Sequence, residues 1–172
     1  MPAPELSLTE WSVLGLLAEG PAHGFAIARQ LEPGTELGRV LTVHRPLVYR
    51  ALERLVGAGL AQPRRDETAS GGRRRIVHAI TPSGRRELRL WLVTPVRHVR
   101  DLRLEFLVKV LLVRRAGGDA GSLAHAQREQ LAATLAALAA QPEGCEGTDV
   151  VDRWRSHSAR AALAFLDELA GG

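Results

Sequence analysis

The sequence predicts a mostly α-helical chain with one small β element ahead of its midpoint and only helices after it. Three observations carry that expectation. Apolar residues recur at helical spacing through most of the chain. The spacing changes to a period of two only between residues 60 and 81. Glycine or proline breaks separate the segments. Length and composition agree: 172 residues, 45% hydrophobic and 24% charged, fit one ordinary globular domain, or a small domain with an extension.

The elements follow in order. Ser7-Leu8-Thr9-Glu10 has the spacing of a capping box, in which Ser7 caps a helix start and Glu10 reaches back. Trp11, Val13, Leu14, Leu16 and Leu17 continue that helix until Gly20-Pro21 stops it. A second short helix fits Ala22 to Leu31, with Phe25, Ile27 and Leu31 inward, and Glu32-Pro33-Gly34 ends it. Glu36 to Val43 reads either as a turn or as a short extended piece. Arg45-Pro46 opens a third helix, because proline is tolerated in a first helical turn. Val48, Leu52, Leu55 and Val56 form its apolar face, and Gly57 and Gly59 close it. Leu60 to Arg65 reads as a strand, Asp66 to Gly72 as a loop tipped by Ser70-Gly71-Gly72, and Arg73 to Thr81 as the returning strand. Thr81-Pro82 caps a helix carrying Leu88, Trp91 and Leu92, which Thr94-Pro95 breaks.

Beyond that point everything reads as helix. Arg100 to Arg115 carries Leu102, Phe106, Leu107, Val110 and Leu111; Gly117-Gly118 separates it from an Ala- and Leu-rich helix near Asp119 to Ala140. Gln141 to Thr148 is a predicted loop. The last helix, about Asp149 to Ala170, places Trp154, Ala161, Ala162, Phe165, Leu166 and Leu169 on its packing face. Three helices followed by a two-stranded hairpin make a winged helix-turn-helix. The expected organisation is a winged-helix domain over residues 1–94, the module type that binds DNA, and an all-helical dimerisation domain over 95–172. Aromatic residues are only 4% of the chain, so the helical part has a thin core. Burying its exposed stripe against an identical copy is the natural remedy, which predicts a homodimer.

The net charge is +4, and its distribution says more. Residues 39–89 hold 12 arginines against Glu53, Asp66, Glu67 and Glu87, whereas basic and acidic residues balance over residues 96–172. A GC-rich genome explains arginine in place of lysine, Lys109 being the one lysine, but it does not explain the clustering. A local positive field suits a polyanion. A recognition helix must present hydrogen-bonding side chains near its N-terminus to the major groove. His44, Arg45, Tyr49 and Arg50 occupy that place, with Arg45, Tyr49 and Val48 expected on the outer surface. Arginine donates twice to guanine O6 and N7, and tyrosine reaches a phosphate or a base edge. Read alone, the same residues describe a solvated helix face; beside a basic wing they describe a double-stranded DNA site.

Arg73, Arg74 and Arg75 follow the Ser-Gly-Gly tip, where they would lie along the minor groove or the flanking phosphates, or guard an edge strand by charge. Arg64 and Arg65 are further candidates. His23 and Gly24 open the second helix, whose free backbone N–H groups would meet a phosphate, or simply begin a closely packed helix. Trp11, Trp91 and Trp154 lie on three predicted helices and would line a pocket for a planar ligand, or pack the core.

The remaining chemistry is excluded piece by piece. One cysteine, Cys145, allows no intrachain disulfide and no Cys-based zinc site, and its spacing to Asp149, Asp152 and His157 matches no metal signature. No metal and no cofactor are expected. No dinucleotide, phosphate-loop, zinc-protease or serine-hydrolase motif occurs, and the six histidines are scattered, so no catalytic residue is expected and the chain is not read as an enzyme. No apolar run is long enough to span a membrane and no signal peptide is visible, so a soluble, cytoplasmic protein is expected. A winged-helix module for protein interaction or RNA is the alternative. The first does not need 12 arginines in one window. The second usually brings stacking aromatics, and the basic window has only Tyr49.

Three runs carry a family resemblance: Val13-Leu14-Gly15-Leu16-Leu17-Ala18-Glu19-Gly20-Pro21-Ala22-His23-Gly24-Phe25, Pro46-Leu47-Val48-Tyr49-Arg50-Ala51-Leu52-Glu53-Arg54-Leu55 with Gly59-Leu60, and Arg75 with Ile80-Thr81-Pro82-Ser83-Gly84-Arg85. In this order and spacing, over roughly residues 7–93, the chain resembles the PadR-like winged-helix transcriptional regulators. It departs from the family's pattern at Leu47, where Ser or Thr is frequent, and at His78, where an aromatic is frequent. The resemblance implies dimerisation through the helical tail and, in some members, response to a small, often aromatic, effector. The combined expectation is a homodimeric repressor that sets two winged helices about one DNA turn apart on a roughly palindromic operator.

Overall fold

A computed structural model describes residues 5–65, 76–140 and 149–171. The chain divides into two compact units, residues 1–93 and 94–172. The first contains α1 (Leu8–Glu19), β1 (Ala22–His23), α2 (Gly24–Gln30), α3 (Arg45–Gly57), β2 (Ala61–Arg65), β3 (Ile76–Ile80) and α4 (Pro82–Val93). The second contains a short 3-10 helix (Val99–Arg103), α5 (Glu105–Arg115), α6 (Ala120–Ala139) and α7 (Val150–Gly171).

α1 begins as its sequence predicts. The Ser7 side chain accepts from the Glu10 amide, and the Glu10 carboxylate accepts the Ser7 N–H at 2.7 Å. The other oxygen of Glu10 takes the Arg54 guanidinium at 2.9 Å, so one buried carboxylate both caps α1 and pins α3 to it. Val13, Leu14, Leu17, Ile27, Leu31, Val48, Leu52 and Leu55 are buried and form the core of this unit. Thr81 caps α4: its hydroxyl donates to the Gly59 carbonyl at 2.7 Å and accepts the Gly84 N–H at 3.0 Å. Gly84 is required there, because a Cβ would stand 2.1 Å from the Leu60 carbonyl oxygen.

Several expectations are corrected. The predicted second helix begins at Gly24, and Ala22–His23 instead pair antiparallel with β3. Among the described residues the sheet therefore has three strands in the order β1-β3-β2, not two. Phe25, expected inward, is 46% exposed; a helix of seven residues presents too few positions to bury a second bulky face. Val48, read on the apolar face of α3 and also offered for its outer surface, is fully buried, because it shares the inward stripe with Leu52 and Leu55 at i+4 and i+7. The segment from Arg100 to Arg115 is split at Leu104 between the 3-10 helix and α5. On α7, Trp154, Ala161 and Phe165 face outward, while Ser156, Ala159, Leu166 and Leu169 are buried. Small residues let α6 and α7 approach closely: Gly121 at the start of α6 lies against Leu169 and Ala170 at the end of α7, so the two helices run antiparallel.

The second unit has its own core, with Phe106, Val110, Leu123, Leu131, Leu135 and Leu166 at its centre. Two buried polar side chains hold its first residues. Gln127 accepts the Val96 N–H at 2.7 Å and donates to the Val96 carbonyl at 3.0 Å, which satisfies both backbone groups. The Lys109 ammonium donates to the Thr94 carbonyl at 2.7 Å and pairs with Glu105 at 2.8 Å. Burial pushes the Lys109 ammonium below the ordinary lysine range, against the pull of Glu105. Among the described residues no helix is long and apolar enough to cross a membrane.

Candidate nucleic-acid interface

α3 has two faces. Val48, Ala51, Leu52 and Leu55 are buried; Arg45, Leu47, Tyr49, Arg50, Glu53 and Arg54 are exposed. Period 3.6 produces this division from the sequence alone. Pro46 sits in the first turn, where its missing N–H costs nothing, and His44 caps the helix with its backbone extended and its side chain exposed. The exposed residues are not equivalent. Arg54 is committed to Glu10. Arg45 and Arg50 make no ion pair among the described residues, so their charge remains available to a partner.

α2 supports the start of α3. The Arg45 guanidinium lies 4.7 Å from the centroid of the Phe25 ring. Gly24 is buried against Tyr49: a Cβ there would approach the tyrosine ring to 2.6 Å. Tyr49 remains 44% exposed and Leu47 45%. Of the residues singled out in the sequence, His23, Gly24 and Tyr49 are brought together on one open cavity of about 890 Å³, which Phe25, Arg29 and His78 also line. Phe25, Arg29 and Leu47 were not anticipated at this surface. Only the cation–π contact and the exposure distinguish Phe25 and Leu47 from core residues, and neither is a sequence signal.

The wing is built by β2 and β3, in register from Ala61 opposite Ile80 to Arg65 opposite Ile76. Arg64, opposite Val77, is exposed, as is Ile76. Arg73, Arg74 and Arg75 lie outside the described residues. At the root of the wing, His23 and His78 sit on adjacent rungs of β1 and β3. Nδ1 of each is buried and has no partner among the described residues. Burial pushes the His78 imidazole below its ordinary pKa, because the charged form loses water there. The unfolded chain then binds a proton first, so stability is present above the ordinary value of about 6.5 and falls as pH drops below it. His78→Phe should flatten the fall of the thermal midpoint on acidification. An unchanged acid slope would remove His78 from the groups that cause it.

The tryptophans separate into two situations. Trp11 on α1 and Trp91 on α4 stack on each other, with centroids 4.9 Å apart and planes 7° from parallel. That is the offset-stacked arrangement that ring quadrupoles favour. Trp154, in the second unit, is 72% exposed. Among the described residues no group of three or more His, Cys, Asp or Glu side chains is placed to hold a metal ion.

Comparison with known proteins adds to this geometry. Residues 13–90 match the family described as Transcriptional regulator PadR-like family. Comparison with curated protein sequences gives no match. Among solved structures the chain is similar to Bacillus subtilis PadR in complex with operator DNA, at 20% identity over 94% of this chain and 97% of that one, with a TM-score of 0.48. It is also similar to a PadR family transcription regulator from hypervirulent Clostridium difficile, at 20% identity over 65% of this chain and 100% of that one, with a TM-score of 0.43. A Streptococcus mutans protein gives 17% identity over 95% of this chain and 98% of that one, with a TM-score of 0.45. The family match runs from within α1 to within α4, so the likeness to the PadR-like transcriptional regulators covers the first unit of the chain.

Proposed function

We propose that the protein is a sequence-specific DNA-binding repressor, working as a homodimer on a roughly palindromic operator. The observation that carries this reading is the exposed first turns of α3. They present Arg45, Tyr49 and Arg50 without an intramolecular ion pair among the described residues, on a helix tied to α1 by the Glu10–Arg54 pair. α3 enters the major groove with its N-terminal end foremost. Arg45 reads guanine O6 and N7, Tyr49 reaches a base edge or phosphate, and His44 and Arg50 take the flanking backbone. His23 and Gly24 approach the backbone from the start of α2. Arg73, Arg74 and Arg75 neutralise further phosphates.

Homodimer formation is supported by α7. Val151, Trp154, Ser158, Ala161 and Phe165 fall at i, i+3, i+7, i+10 and i+14, a heptad seam, on the side away from the residues buried against α6. A small aromatic effector would release the operator by favouring dimers whose two heads no longer match the half-site spacing.

Binding to a duplex should weaken steeply as salt rises, since each neutralised phosphate releases counterions. Arg45→Ala or Tyr49→Ala should each cost about 1–3 kcal/mol of specific binding. Arg73→Ala with Arg75→Ala should flatten the salt slope by about two units, with little change in base preference. Salt-insensitive or absent duplex binding would refute the reading as a whole.

A further inference from the structure

We infer that Phe25 is a positioning residue for base reading: its ring fixes the Arg45 guanidinium in one placement at the start of α3, and thereby sets the base preference at that arginine. The inference rests on the DNA-binding reading above. Its ground is an oddity of α2. A large aromatic side chain at the second residue of a seven-residue helix is left 46% exposed, and what covers its face is a cation from the neighbouring helix.

The contact has the right chemistry for that role. A guanidinium is planar, and stacking on a ring uses its face. Its five N–H donors lie in the plane and stay free along the edge. Reading guanine takes two of those donors, aimed together at O6 and N7. An unsupported arginine at a helix start samples many rotamers and must be ordered on binding; one already laid on a ring meets less of that cost. No carboxylate among the described residues pairs with Arg45 to hold it elsewhere.

The residue before Phe25 repeats the arrangement. Gly24 lets the Tyr49 ring lie against the start of α2, which a Cβ would prevent at 2.6 Å. Arg45 and Tyr49 are four residues apart, on one face of α3. Two consecutive residues of α2 thus bracket two side chains of α3 that the DNA-binding reading assigns to recognition.

Phe25→Leu is the decisive variant, since it keeps apolar bulk and removes the ring face; Phe25→Trp keeps the face. In the free protein, the Arg45 δ-methylene protons should resonate upfield from the ring current of residue 25, in wild type and Phe25→Trp but not in Phe25→Leu. Bound duplexes selected from a randomised pool should show the same preference for wild type and Phe25→Trp. Phe25→Leu should lose preference only at the base pair where Arg45→Ala also loses it, with its salt slope unchanged. Its affinity for the wild-type operator should fall about two- to fivefold, with no further loss when combined with Arg45→Ala. If the wild type selects a sequence and Phe25→Leu selects it equally well, or loses preference elsewhere, the positioning role is overturned while the DNA reading stands. If the wild type binds no duplex, both fall together.

Discussion

Phe106→Ala should lower the unfolding free energy of the second unit by about 3–5 kcal/mol, the range for emptying a buried phenylalanine site. The expectation is this large because of scarcity. The chain has three phenylalanines; Phe25 and Phe165 are 46% and 41% exposed, and Phe106 alone is buried, at 1%. It belongs to one buried cluster with Val110, Leu123, Ala124, Leu131, Leu135 and Leu166, and α6 and α7 contribute mostly alanine and leucine to that core. The alanines Ala120, Ala124 and Ala159 in that cluster have no side-chain length with which to fill the space, so part of the cavity term is retained. For a unit of this size the loss corresponds to a fall in thermal midpoint of about 12 °C or more. Denaturant titration followed by circular dichroism measures it, with Phe106→Leu, which removes fewer carbons, as the control that should lose less than the alanine variant. A loss below about 1 kcal/mol for the alanine variant would mean that Phe106 is not the centre of that core.

The parts of this protein that could be read from its sequence are those whose cause is local. The capping box needs only Ser7 and Glu10, three residues apart, and both its hydrogen bonds are present. α3 announces itself through Pro46 at its start and through Val48, Leu52 and Leu55 along one face. The hairpin shows as a change of period. What escaped depends on partners distant in sequence. β1 is two residues long, which is too short for any periodicity, and it exists because Ala22 and His23 meet His78 and Val77. The contact of Phe25 with Arg45 likewise joins residues twenty positions apart. The site shows the same division. His44, Arg45, Tyr49 and Arg50 follow from helical spacing, since all four are exposed at the start of α3. The placement of His23, Gly24 and Tyr49 on one cavity required the fold.

α7 misled the sequence reading for a different physical reason, and that reason yields the second large effect. Hydrophobic spacing locates an apolar stripe but not which surface covers it, and α7 has two stripes. Leu166 and Leu169 turn to α6, whereas Val151, Trp154, Ala161 and Phe165 stay in solvent in the single chain. Under the homodimer reading, the second stripe is the seam between copies, and Trp154 is its largest anchor. Trp154→Glu should then raise the dimer dissociation constant about 30- to 1000-fold, the effect of losing an aromatic hot spot of 2–4 kcal/mol, with two carboxylates brought together besides. The folded single chain should hardly notice, within about 0.5 kcal/mol, because the side chain is 72% exposed there. That contrast is what gives the experiment its force: sedimentation should report monomers while the thermal midpoint extrapolated to low concentration stays in place. Trp154→Phe should preserve association. Duplex binding should weaken with the dimer, since two heads on one operator act at a high effective concentration and a lone head does not. If Trp154→Glu sediments as wild type does, the α7 seam is not where copies meet, and the apolar stripe must serve something else.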